Sequence, residues 1–178
     1  MKGVVFNIVQ EVVEAHLGQE MWDDAVDRSD VDGAYTSLGN YPDADLEQLV
    51  YSLGELSQLS RSDVLVFAGR HGFQQLVGRH PDLIAPYSGW REVAEHLDDI
   101  IHPEVAKIYP DTDTPSFATI AQLDGSVHMV YESRRQLCSL AEGLVLGLGD
   151  WFGCALEVVH VDCVRAGGLS CTLAVTET

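Results

Sequence analysis

His102-Pro103-Glu104-Val105-Ala106-Lys107-Ile108-Tyr109-Pro110, then Pro115, then Tyr131-Glu132-Ser133-Arg134-Arg135 is the stretch from which the architecture and chemistry of this chain are read. Residue 102 is an imidazole with a rigid proline directly behind it. A residue before proline is biased away from helical backbone, which puts His102 at a kink, a boundary or the start of a new turn. Tyr131, Ser133 and Arg135 alternate, and residues two apart on a strand share a face. Two hydroxyls and a guanidinium on one face form a cradle for a pair of carboxylates, with the guanidinium supplying the bidentate contact. A porphyrin presents such a pair on one edge, and its iron takes a neutral imidazole. The segment therefore suggests haem. The plainer readings are a histidine satisfied near a helix end and the polar outer face of an amphipathic strand.

Composition narrows the class. A chain of 178 residues is one ordinary domain, and 46% apolar residues with a mean hydropathy near zero fit a globular protein with a sizeable core. No apolar run is long enough for a spanning helix, and Asn7, Gln10 and Glu11 interrupt the N-terminal segment too early for a signal peptide. A cytoplasmic protein is expected. Ten basic against 28 acidic residues leave a formal charge of -18, a field that repels nucleic acid and anionic membrane surfaces alike. A neutral diatomic gas is indifferent to it.

On the N-terminal side, Val5, Ile8, Val9, Val12 and Val13 recur at three- and four-residue steps and predict an amphipathic helix ending near Gly18. A second helix starts at Trp22. A third runs through Leu46, Leu49, Val50, Leu53 and Leu56 with Asp43 or Asp45 as its cap. Ser60 or Ser62 opens a fourth, through Val64, Leu65 and Phe67 toward Gly72. Trp90, Val93, Leu97 and Ile101 stripe the helix that leads into His102. Past Pro115 the period shifts. Phe117 to Leu123, the Asp124-Gly125 turn and Val127 to Ser133 read as a β-hairpin, followed by a helix from about Arg135 to Leu148. Ala155 to Val161 and Ser170 to Val175, joined across Gly167-Gly168, make a second hairpin. The expected class is α+β, one domain over 1–178. Its helical part, about 1–112, packs beside a small four-stranded antiparallel sheet with an inserted helix, about 113–178.

The opening Met1-Lys2-Gly3-Val4-Val5-Phe6-Asn7, the Trp22-Asp23 pair, the His102 segment, Pro115 and Tyr131-x-Ser133-x-Arg135, in that order, resemble the haem nitric oxide/oxygen binding (H-NOX) family. That family includes bacterial gas sensors and the regulatory domain of soluble guanylate cyclase. The resemblance spans essentially the whole chain. It implies haem b between the helical and sheet parts, with His102 as the proximal iron ligand and Tyr131, Ser133 and Arg135 on the propionates. It also implies that Pro115 presses on the porphyrin and keeps it distorted. Oxygen-binding members carry a tyrosine on the helix after the triplet. The matching position here is Leu140, with Leu144 one turn later and Val5 and Val9 as further pocket walls. An apolar pocket offers no donor to iron-bound oxygen, so NO, and also CO, is the ligand expected.

The resemblance thus implies a non-enzymatic NO sensor. NO at ferrous haem breaks the His102–iron bond, the haem flattens against Pro115, and the His102 helix shifts to bias a partner. The chain carries no output domain, so regulation in trans is expected. In bacterial relatives the partner is a histidine kinase or a cyclic-di-GMP enzyme. The alternatives are an oxygen-binding sensor and a haem enzyme. An enzyme would need a distal acid–base group, for which Gln74, Gln75 and His71 are the polar candidates.

Cys138, Cys154, Cys163 and Cys171 are too few and too scattered for a disulfide scaffold. Cys138, His160, Cys163 and Cys171 match the ligand types of a tetrahedral zinc site, against the plainer reading of small buried thiols and a surface histidine. His160 and Cys163 face opposite ways on an ideal strand, so such a site requires a bulge or turn between them. Some bacterial H-NOX proteins are similar in having a C-terminal zinc cluster. A thiol- and zinc-based redox sensor is the remaining alternative function.

Overall fold

The first helix sets the plan. In the computed structural model, which describes all 178 residues, α1 spans Gly3–Leu17 and presents Phe6, Val9, Val12 and Val13 to the interior. Gly18 ends it at φ 92°, a backbone state that suits glycine, and α2 (Gln19–Arg28) starts on the next residue, ahead of the expected Trp22. Asp43 does not cap α3 (Asp43–Ser57), which follows Pro42 and has no side-chain cap. The Asp43 carboxylate turns instead to the Met1 amino group at 2.8 Å and to Arg135 at 3.0 Å. Ser60 caps α4 (Arg61–Arg79) in a reciprocal capping box with Asp63, a device worth about 1 kcal/mol. That helix runs well past Gly72. A β-carbon there would meet Ile8 at 2.4 Å, so Gly72 serves helix packing and is not a stop.

The stripe from Trp90 to Ile101 is broken in two. After α5 (Trp90–Glu95) comes a single wide π turn, Leu97–Ile101, and α6 (His102–Ile108) starts at the histidine, with Pro103 in its first turn where a missing N–H costs little. Four antiparallel strands follow: β1 (Ser116–Ala121), β2 (Val127–Glu132), β3 (Leu156–Asp162) and β4 (Cys171–Glu177), in the order β1-β2-β4-β3. The buried faces of β2 and β4 alternate as Val127, Met129, Tyr131 and Cys171, Leu173, Val175. The pairing of β3 with β4 slips between His160 and Asp162, which is the irregularity the zinc spacing demanded.

Between the hairpins lies α7 (Cys138–Phe152), and its seat on α4 is unusually close. A β-carbon at Gly69 would lie 2.5 Å from the Leu140 carbonyl oxygen, at Gly143 2.3 Å from that of Val66, and at Gly147 2.5 Å from that of Arg70. Only glycine permits this backbone-to-backbone approach. The bidentate Arg70–Asp150 pair, at 2.6 and 2.8 Å, clasps the same two helices at the surface.

The apolar core is divided. One cluster joins the sheet face to Phe73, Trp90, Val93, Ile101, Val145 and Leu148. The other joins α1, α2, α3 and the first half of α4, with Leu137 added. The first draws on α7 directly, and the second meets it at Leu137, just before the helix, and at Leu140, so their junction lies along the start of that helix. No helix is long and apolar enough to cross a membrane.

Candidate functional site

His102 opens α6 with its side chain 16% exposed. Its Nδ1–H donates to Asp98 Oδ1 at 3.0 Å, which leaves Nε2 without a partner in the chain. Burial pushes the ring below the usual histidine range and outweighs the opposing pull of the Asp98 charge, so the imidazole is neutral at pH 7. A neutral ring with one nitrogen anchored and the other free is the state an iron ligand needs. The Phe117 ring stands 6.0 Å from His102 and 5.4 Å from Tyr131, which links the proximal side to the triplet.

The triplet is brought together differently from the expected strand face. β2 ends at Glu132, so only Tyr131 is on a strand, and Ser133 and Arg135 lie in the turn that leads to Gln136 at φ 52°. Side-chain and backbone hydrogen bonds hold the turn. The Leu137 N–H donates to the Tyr131 hydroxyl at 3.1 Å, and the Arg135 N–H donates to Ser133 Oγ at 3.2 Å. The Arg135 guanidinium, 13% exposed, donates through Nε to Asp43 and through Nη1 to the Asp113 backbone, with the Asp113 carboxylate at 3.1 Å. Its donors thus already take carboxylates, both from exposed residues. Pro115 sits half-buried just before β1.

The expected pocket walls lie at the divide in the core. Val5 and Leu140 pack against the helical cluster, while Leu97, Phe117 and Leu144 pack against the sheet cluster. All five are only partly buried although they sit against core. Val9 is fully buried. Two polar clefts of about 430 and 490 Å³ open elsewhere, one lined by Arg28, Glu47 and Arg61, the other by Asn7, Glu11 and Arg79. Neither includes any predicted haem residue. A free imidazole nitrogen, partly buried apolar side chains and a largely buried guanidinium that takes carboxylates fit a haem.

A second site lies behind α7. The Cys138 and Cys163 sulfurs are 3.7 Å apart, those of Cys163 and Cys171 are 3.8 Å apart, and all three thiols gather within 4.8 Å. Burial pushes Cys138 up to about 12. Burial also acts upward on Cys163, but hydrogen bonds from His160, the Arg165 backbone and the other two thiols outweigh it and hold that thiol at about 7. His160, the fourth residue expected, stands beside this group rather than in it. Its Nε2–H donates to Glu142 at 2.8 Å, and that contact fixes the ring. Cys154 lies apart, near Glu177.

Asp98, Phe117, Glu142 and the glycines of α4 and α7 escaped the sequence reading. An acid four residues before a histidine on a helical stripe was the available signal for Asp98.

A family model described as Haem-NO-binding matches residues 2–160. Among curated proteins, no relative matches. Among solved structures, an H-NOX protein from S. oneidensis in the Fe(II)NO ligation state is 26% identical with a TM-score of 0.92, covering 100% of this chain and 99% of that one. The Fe(II) unliganded H-NOX protein from K. algicida is 28% identical with a TM-score of 0.88, covering 100% and 97%. An IWP-051-bound H-NOX from Shewanella woodyi in the Fe(II)CO state is 27% identical with a TM-score of 0.82, covering 100% and 95%.

Proposed function

The chain belongs to the haem-NO-binding (H-NOX) family, and on that premise we propose that it is a haem-based NO sensor that regulates a partner signalling protein. The observation that carries this reading is His102, largely buried, neutral and anchored through Nδ1, with Nε2 free. A ferrous haem held there by His102 would supply an iron that binds NO at the expense of its bond to that ring. The residues do the rest. Tyr131, Ser133 and Arg135 hold the propionates, with Arg135 exchanging Asp43 and Asp113 for them. Val5, Leu140 and Leu144 exclude water and offer no hydrogen bond to a gas. Pro115 would bear on the porphyrin. His102, once released, frees α6 to move relative to the sheet, a change of state that a partner reads. A histidine kinase or a cyclic-di-GMP enzyme is the partner class proposed.

The test is the absorption spectrum of the reduced protein in air and then with NO. We expect a five-coordinate ferrous spectrum indifferent to air that changes on NO addition. Stable oxygenated bands would overturn the NO assignment. Leu140→Tyr is expected to reverse the choice, because its hydroxyl supplies the missing donor: oxygenated bands should appear in air. A Leu140→Tyr protein as indifferent to air as the wild type would show that Leu140 does not face the gas.

We also propose that Cys138, Cys163 and Cys171 bind Zn²⁺ with His160. Two sulfurs on a tetrahedral zinc at about 2.3 Å each lie about 3.8 Å apart, the spacing these thiols already have. With Nε2 held by Glu142, His160 has Nδ1 left for the metal, and the carboxylate behind it is the partner that metal-bound histidines recruit. Metal analysis should find about one zinc per chain in the native protein, lost in Cys138→Ala. Four freely titratable thiols and no zinc would remove the idea. With the metal absent, the close thiols favour oxidation, the basis of the redox reading.

A further inference from the structure

Asp98 is held at both ends of its carboxylate. Oδ1 accepts from His102 Nδ1–H at 3.0 Å, and Oδ2 accepts from the Phe117 backbone N–H at 2.6 Å. The residue lies in the π turn, where Ile101 N–H reaches back five residues to the His96 carbonyl at 3.0 Å and His102 N–H reaches back to Leu97. A wide turn of this kind usually marks a functional position. Here it falls just ahead of Pro103, which has no N–H to continue the ladder. Asp99, the adjacent acid, is exposed and makes no such contact.

We propose that Asp98 is the positioning residue of the proximal ligand. One oxygen fixes His102 as the Nδ1–H tautomer with Nε2 turned to the metal side, and the other pins that assembly to the start of β1. The role toward iron rests on the haem reading above, whereas the tautomer and the pin belong to the polypeptide itself. An anion on the distant ring nitrogen makes the imidazole a stronger donor and holds it in one orientation. It also gives a path from ligand to sheet. When His102 moves, Oδ1 loses its partner while Oδ2 remains on β1, so displacement of α6 acts directly on the strand that leads, through Phe117 and its opposite residue Tyr131, to the triplet.

The variants are Asp98→Asn, close in shape but uncharged, and Asp98→Ala, with Asp99→Asn as the control. In the haem-free protein, nitrogen NMR of His102 should place the proton on Nδ1 in the wild type and in Asp99→Asn. In Asp98→Ala it should redistribute toward Nε2. In the ferrous haem protein, the iron–histidine stretching band should fall in frequency in Asp98→Asn at an unchanged melting temperature, a shift that loss of packing alone does not produce. Transfer of haem to a scavenging apoglobin should be about tenfold faster. The proposal is overturned if the His102 tautomer is the same in Asp98→Ala as in the wild type, or if Asp98→Asn leaves the stretching band in place. Failure of the haem reading looks different: the wild type itself shows no iron–histidine band, and the tautomer then decides the Asp98 contact alone.

Discussion

His102→Gly should abolish the ferrous five-coordinate spectrum of the purified protein, and free imidazole should restore it. The NO response of the partner should vanish in the same variant and stay absent when imidazole fills the gap, because a detached ring carries no pull on α6. The reason is topological: His102 is the first residue of α6, and its one anchored nitrogen ties that helix through Asp98 to β1. Unfolding is not the expected cause. Glycine near a helix start costs about 1 kcal/mol and loss of the Asp98 contact about 1–3 kcal/mol more, so the haem-free chain should melt lower but still fold. A variant with the wild-type ferrous spectrum and an unchanged response to NO would defeat both the ligand assignment and the mechanism.

The second large effect concerns the seat of the pocket. A β-carbon at Gly143 would lie 2.3 Å from the Val66 carbonyl oxygen, 2.9 Å from the Arg70 nitrogen and 3.0 Å from the Gly69 α-carbon. All three neighbours are backbone, so no rotamer change can relieve the clash. The helices must separate, and overpacking of this kind costs about 3 kcal/mol. At roughly 2–4 °C per kcal/mol for a chain of this size, Gly143→Ala should melt about 6–12 °C lower. The same shift moves Leu140 and Leu144, which flank Gly143 on α7, so gas affinity should change as well. Gly78→Ala is the control. It has open space where the β-carbon would go and an exposed place near the end of α4, where alanine should stabilise by up to about 1 kcal/mol. Equal melting of Gly143→Ala and the wild type would show that the backbones are not in contact.

Periodicity was enough for most of the elements. The apolar repeats of α1, α3 and α4 and the alternation around Asp124-Gly125 and across Gly167-Gly168 announced helices and hairpins where the structure has them. It misjudged places where one residue serves a distant neighbour. Asp43 looked like a cap because local spacing favours an acid at a helix start, yet its carboxylate is drawn to an amino group and a guanidinium far away in the chain. Gly72 looked like a stop because glycine often is one, yet it makes room for Ile8. Alternation of Tyr131, Ser133 and Arg135 suggested one strand face, but the strand stops at Glu132. For the thiols, spacing raised both the cluster and the bulge it would need, whereas the Glu142 contact of His160 had no local signature.

The order of residue types along the chain, by itself, determined an α+β protein with an imidazole at a proline-marked boundary, a hydroxyl–hydroxyl–guanidinium triplet and thiols at metal-binding intervals. These are local matters, written in periodicity and in the backbone limits of proline and glycine. Tertiary structure alone decided that Asp98 holds both His102 and β1, that three glycines let α4 and α7 touch, and that the core parts along α7. Such contacts join residues far apart in sequence. Their energies depend on distances of a few ångströms that no local pattern encodes.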